Sequence, residues 1–229
     1  MKIKLLAFDV DGTLFTSEAI LHRAYTEAIS DYNSSSGSKL KTPELNEILS
    51  QIGNPGRKIF RNLFPDMDSR DYAQLGCLVR ERLIFDINEG NGTLYSNVYE
   101  TIEHFHKVGF SLRIASNGGK DYVEAVVKYY GIEKFFGPLV SLDGEGIKDK
   151  GDILNTYKSV TGIRSYEMVM IGDRKSDLLA ARKAGCPFIG FTGGHGSYDE
   201  IKEIDSILFD DFSKLPDIIK VLQQDPTNN

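Results

Sequence analysis

The sequence predicts an α/β fold, a doubly wound and mostly parallel Rossmann-like sheet with helices on both faces, interrupted after its first strand by a helical insertion. Three observations predict it. Short apolar runs alternate with amphipathic helical patterns, and Asp, Ser and Asn residues gather where those runs end. Residues 15–92 carry helical periodicity without a convincing buried strand.

The first run, residues 3–10 (IKLLAFDV), is nearly continuous in apolar residues and ends on aspartates and Gly12, as suits a strand covered on both faces. Similar runs occupy residues 112–115, 139–142, 168–171 and 188–191, with a weaker sixth at 206–209. Helical patterns fill the intervals at 98–108, 123–130, 153–160 and 177–184. Gly131, Gly162 and Gly185 follow the last three and supply left-handed ends. Strands alternating with helices call for right-handed crossovers and place ligands at the carboxyl ends of the strands.

The insertion reads as about four helices. Ile20, Leu21, Ala24, Ala28 and Ile29 share one helical face, a polar loop is expected at 33–38, and Pro43 stands at a helix start before Leu45, Ile48 and Leu49. Its length far exceeds that of a βα loop, so it must be a domain or a lid. The expected division is an α/β core of residues 1–15 and 93–229 with a helical cap of residues 16–92, hinged at 15–18 and 89–93.

Composition narrows the function. With 229 residues, 41% hydrophobic and 26% charged, the chain has material for a core and a satellite domain. The net charge of -6, with both signs mixed along the chain, offers no basic stripe and argues against nucleic acid as a partner. No apolar stretch approaches the ~20 residues of a membrane span, and the first residues run into a strand rather than a signal peptide, so a cytoplasmic protein is expected. Cys77 and Cys186 stand far apart without a metal-ligand pattern and read as two buried thiols. Residues 223–229 read as a frayed end, and the sequence leaves monomer and homodimer equally open.

The chemistry gathers at four strand ends. Asp9-Val10-Asp11-Gly12-Thr13-Leu14 follows the first strand, and Gly12 permits the turn that brings two alternating carboxylates together. Gly172-Asp173-Arg174-Lys175-Ser176-Asp177 follows a later strand and opens a helix. If the two strands are neighbours, Asp9, Asp11 and Asp173 share one crevice. Carboxylates ~4 Å apart repel by about 4 kcal/mol at an effective dielectric near 20, so such a pocket needs a cation or raised pKa values. An all-oxygen set without His or Cys favours Mg²⁺. Ser116-Asn117-Gly118 at a strand-to-helix turn can cradle phosphate oxygens, and Lys148 or Lys150 can balance the acids. Each element alone is also an ordinary turn sequence; their shared placement at strand ends is what chance turns would not produce.

With these residues in place, the whole chain resembles the haloacid dehalogenase superfamily. Asp9-Val10-Asp11-Gly12-Thr13-Leu14 is similar to its first motif, Ser116-Asn117 to its second, Lys150 or Lys148 to its third, and Gly172-Asp173 with Asp177 to its fourth. The insertion looks like that superfamily's C1 cap, and phosphoglycolate-phosphatase-like members are the nearest match. The resemblance implies a phosphatase in which Asp9 attacks phosphorus and Asp11 protonates the leaving group and then activates water. It further implies Mg²⁺ on the Asp9 carboxylate, the Asp11 backbone carbonyl and Asp173, with Asp177 behind them. Gly12, Ser116 and Asn117 would meet the phosphoryl oxygens. The chain lacks the Pro-x-Pro that often follows the third-motif lysine; Lys150, just before a helical pattern, is the preferred candidate.

Two more residues are candidates from the sequence itself. Arg57, in the Gly- and Pro-shaped segment 53–58, could pair with a substrate carboxylate, and His195 in Gly193-Gly194-His195-Gly196 could touch ligand. The expected substrate is a small phosphorylated metabolite, phosphoglycolate-like or a sugar phosphate. The rival readings are a phosphomutase of the same superfamily and a non-catalytic binding protein on the same core.

Overall fold

The run Leu5-Leu6-Ala7-Phe8 is fully buried because it is central: Leu6 and Phe8 face one layer of helices, Leu5 and Ala7 the other. The computed structural model describes residues 2–196, 198–202 and 207–224. After β1 (Leu5–Phe8) and the short β2 (Phe15–Thr16) come four helices, α1 (Glu18–Ser36), α2 (Leu45–Gln51), α3 (Gly56–Leu63) and α4 (Asp71–Asn88). The chain returns through β3 (Thr93–Leu94) to α5 (Val98–Lys107), β4 (Ser111–Ile114), α6 (Lys120–Tyr129) and α7 (Lys150–Thr161). Then follow β5 (Met168–Gly172), α8 (Lys175–Ala184), β6 (Phe188–Phe191), a short α9 (Tyr198–Ile201), β7 (Ile207–Phe209) and α10 (Leu215–Gln224).

The sheet order is β4-β1-β5-β6-β7 and every pairing is parallel. Leu5 stands beside Ser111 on one side and Met168 on the other, which brings the carboxyl ends of β1, β4 and β5 level. One apolar layer joins Leu6 and Phe8 to Val98, Ile102 and Phe105 of α5 and to Val123, Val126 and Val127 of α6. The other joins Leu5 and Ala7 to Ile153, Leu154 and Tyr157 of α7 and to Leu178 and Ala181 of α8. At about 1.5–3 kcal/mol for each large side chain taken fully from water, these two layers are the main cohesion of the sheet.

Helices α1 to α4 hold a separate apolar cluster around Leu21, Tyr25, Ile29, Ile48, Phe60, Tyr72 and Leu75. The antiparallel pair β2 and β3 ties together the two chain segments that lead into and out of these helices.

The structure departs from expectation in places that have local causes. No strand forms over residues 139–142, and only a single bridge joins Leu112 to Phe136 at the sheet edge. Pro138 has no N–H to give, and the Val140 N–H donates to the Tyr157 hydroxyl (3.0 Å), so the ladder cannot continue. The polar loop expected at 33–38 is instead the last turn of α1 through Ser36. The hydroxyls of Ser34, Ser35 and Ser36 donate back to carbonyls of Ser30 and Tyr32, and Gly37 closes the helix at φ 73°. Cys186 is buried, but Cys77 is only half-buried. Ser206 of the sixth run and residues 225–229 of the end read as frayed lie outside the described residues, while Gln223 and Gln224 belong to α10.

Candidate active site

Asp9 leaves β1 with its N–H donated to the Ile171 carbonyl of β5 (2.9 Å), so the pairing of two central strands fixes where its side chain begins. Asp173 follows β5 directly, and Asp177 lies in the first turn of α8, where its carboxylate accepts the Arg174 N–H (2.9 Å). Lys150 opens α7, whose start is fixed by Asp149 accepting the Asp152 N–H (3.1 Å). Its ammonium lies 2.8 Å from Asp9 Oδ2 and 2.6 Å from Asp177 Oδ1, and all of these side chains are buried. Lys148 is exposed, and its backbone N–H is donated to the Asp152 carboxylate (3.0 Å).

Asp173 is held on both carboxylate oxygens. Thr13 donates to Oδ1 (3.1 Å), and the N–H groups of His195 and Gly196 donate to Oδ2 (2.9 and 3.1 Å). Gly12 sits at φ 81° against this carboxylate, where a Cβ would overlap it, so the tight passage needs glycine. The Gly12 N–H is donated to the Phe15 carbonyl (2.9 Å).

The Asp11 carboxylate points elsewhere. Its Oδ1 accepts the Tyr122 hydroxyl at 2.5 Å and the Ser17 hydroxyl at 3.4 Å, at the floor of the cavity described below. Sequence reasoning missed Tyr122. On α6 it has the spacing of a core residue beside Val123 and Val126, and nothing local tells that its hydroxyl reaches a residue 111 positions away.

Electrostatics follow from burial. Burial raises the Asp9 carboxyl to about 6 against the pull of Lys150, and Asp173 adds to the rise. Asp173 is pushed to about 7 by burial and by Asp177, and Asp177 to about 6 by burial in spite of Lys150. Asp11 is raised by burial, with the Tyr122 hydroxyl opposing. Burial works against the Lys150 ammonium, yet Asp177 and Asp9 beside it prevail and hold it above the usual lysine range.

Ser116 is buried at the end of β4 and accepts the Gly118 N–H (3.0 Å). The Asn117 side chain donates to the Gly53 carbonyl (2.7 Å), so the loop before α3 rests on the turn after β4. Arg174 reinforces this seat by donating to the Ser50 carbonyl (3.1 Å). Between α1, α3, α4 and the strand ends lies a cavity of about 820 Å³ with Asp9, Asp11, Ser116, Asn117, Tyr122 and Lys150 at its base. Arg57 is exposed and lines the same cavity, above them. His195 does not line it; its ring is partly buried, which lowers its pKa, and its backbone serves Asp173.

The acidic floor suits a divalent cation. Asp9, Asp173 and Asp177 each offer a carboxylate oxygen, all within 4.8 Å of one another and all buried. When ionised, these three carboxylates against the single Lys150 ammonium leave two negative charges uncompensated. Hard oxygen donors with that charge deficit fit Mg²⁺ among the common biological ions.

Among the described residues, no helix is long and apolar enough to cross a membrane. A family model for haloacid dehalogenase-like hydrolases matches residues 6–191. A phosphoglycolate phosphatase of Vibrio vulnificus is 31% identical, with 96% of this chain and 97% of that protein covered. Another from Vibrio parahaemolyticus is 29% identical over 96% and 97% of the two chains. The crystal structure of a predicted phosphoglycolate phosphatase from Haemophilus somnus matches with a TM-score of 0.82 at 23% identity, covering 95% of this chain and 98% of that one. The matched family region contains both the Asp9 and the Asp173 strand ends, and the chain belongs to the haloacid dehalogenase-like hydrolase family.

Proposed function

We propose that this hydrolase is a Mg²⁺-dependent phosphatase that cleaves a small phosphate monoester through an aspartyl phosphate on Asp9. The observation that carries the reading is the Lys150 ammonium set between Asp9 and Asp177 at the base of a cavity, with Asp173 beside them. Lys150 opposes the rise that burial gives the Asp9 pKa and so favours its ionised form, and a cation held by the three carboxylates would present positive charge to the phosphoryl oxygens.

In the first half-reaction an Asp9 carboxylate oxygen forms the bond to phosphorus as the ester P–O bond breaks, and Asp11 gives its proton to the departing alkoxide. In the second, Asp11 takes a proton from water as the water oxygen attacks the same phosphorus, which frees phosphate and restores Asp9. Ser116 and the Asn117 turn bind phosphoryl oxygens, and Lys150 holds the nucleophile in place. Mg²⁺ on Asp9, the Asp11 carbonyl and Asp173, with Asp177 alongside, would supply charge against the transferring group. Residues 16–92 act in this reading as a cap that shields the reaction from bulk water, with Arg57 offering a cation to the distal end of the substrate.

The curated relatives bear the name phosphoglycolate phosphatase, which makes phosphoglycolate and sugar phosphates the first esters to assay. Phosphate release should require Mg²⁺, stop on chelation, and fall at least about a thousandfold in Asp9→Asn. Undiminished release by Asp9→Asn would refute the assignment.

A further inference from the structure

The floor of the cavity explains the phosphoryl group and nothing above it. At about 820 Å³ the space is in the size range of sites that hold drug-sized ligands, roughly 300–1,000 Å³, whereas a phosphoryl group with a two-carbon acid would leave most of it to water. Its upper walls are apolar: Leu21 and Tyr25 from α1, Ile59 and Phe60 from α3, and Tyr72 and Leu83 from α4. Tyr25 and Phe60 lie stacked with ring centres 6.0 Å apart and are nearly buried, so they back the wall while the half-buried Ile59 and Leu83 face the space. Gly76 of α4 packs on the edge of Phe60, where a side chain would press on that ring.

The cations around this space are mostly spoken for. Arg70 is closed by both oxygens of Asp68, and Arg80 is paired with Asp121 at 3.0 Å. Among the described residues Arg57 is the cation left for a small acid, while an apolar face would displace water from apolar walls, which is favourable in proportion to the area covered.

We propose that the alcohol released by this enzyme carries a ring with an apolar face, lodged between α1, α3 and α4, and that a two-carbon ester such as phosphoglycolate is a poor substrate. The proposal rests on the phosphatase reading above and narrows its substrate class. The ring packs against the apolar wall at Ile59 and Leu83 while its phosphate reaches down to Asp9.

The test compares ethyl phosphate, 2-phenylethyl phosphate and phosphoglycolate with the full chain and Mg²⁺. The two alkyl esters release alcohols of similar basicity, so their kcat/KM ratio reads the ring and not the chemistry. The ratio should favour 2-phenylethyl phosphate by at least about tenfold, and phosphoglycolate should fall well below it. Ala73 and Cys77 line the cavity from α4 and are not fully buried, so Ala73→Phe and Cys77→Phe each fill the space from a tolerant position. Either variant that folds should bring the ratio towards one. A ratio near one in the unmodified protein, phosphoglycolate as the best of the three, or a preference unchanged by both fillers overturns the proposal while leaving the phosphatase reading standing. Absence of Asp9-dependent release from all three esters overturns that reading and the proposal with it.

Discussion

Tyr122 fixes one oxygen of the Asp11 carboxylate, and Asp11 lines the cavity. Its effect should therefore depend on how much the leaving group needs a proton. Tyr122→Phe is expected to slow alkyl phosphate turnover by about ten- to a hundredfold, to slow p-nitrophenyl phosphate far less, and to add little once Asp11→Asn is present. Equal losses with both kinds of ester would assign Tyr122 to packing alone. The meeting of Asp9 and Asp173 was legible in the sequence because both acids end apolar strands that lie side by side, whereas the Asp11 carboxylate, expected in the same crevice, turns to Tyr122 and Asp177 takes its place there. Lys150 and Lys148 were harder to separate, since the choice depends on the start of α7, which turns one side chain inward and leaves the other in solvent. Tyr122 was illegible, because a hydrogen bond between residues 111 positions apart leaves no trace in local pattern.

At the scale of elements, the end of α2 and the loop before α3 are seated on the turns after β4 and β5 by backbone carbonyls, with Gly53 accepting from Asn117 and Ser50 from Arg174. Arg174 also donates to the His195 carbonyl and pairs with Glu200, so one side chain joins the end of α2 to the loop that carries the Asp173 contacts. Losing one such net bond, worth about 1 kcal/mol, should speed amide hydrogen exchange across residues 50–57 by about fivefold in Arg174→Ala. Exchange confined to its original rate would mean that this loop is held by other contacts. The strands at β1, β5 and β6 were legible from continuous apolar runs, and the glycines after α7 and α8 from their helix-ending role. Residues 139–142 were misread because their apolar side chains resemble a strand while Pro138 and the Tyr157 hydroxyl deny them a ladder. The two-residue β2 and β3 are too short to carry any periodicity.

For the molecule as a whole, the acidic floor is a stability liability that a bound cation would relieve. Without metal, Asp9, Asp173 and Asp177 have folded pKa values of about 6 to 7 against an ordinary 3.8, so the folded chain binds more protons than the unfolded chain in that interval. Their contribution is fully present below about pH 4 and is lost as the pH rises to about 7. Lys150, raised from 10.5, titrates above this window and does not offset the loss. The chelated protein should lose on the order of 5 °C in Tm between pH 4.5 and 7.5 relative to Asp173→Asn, and Mg²⁺ should restore it. A chelated protein whose Tm matches the variant's at both pH values would contradict the charge accounting. The existence of the helical insertion was legible from its length and periodicity, but its seating over the strand ends depends on carbonyl contacts and on a cavity that only the folded chain assembles.

A phosphatase of this design requires an Asp9 oxygen to bond to phosphorus. Rapid acid quench during turnover of a labelled phosphate ester, followed by peptide mapping, should find the label as an acyl phosphate on the peptide that contains Asp9, and none in Asp9→Asn. Turnover with no trapped label in a pre-steady-state burst, or label on any other residue, would contradict it.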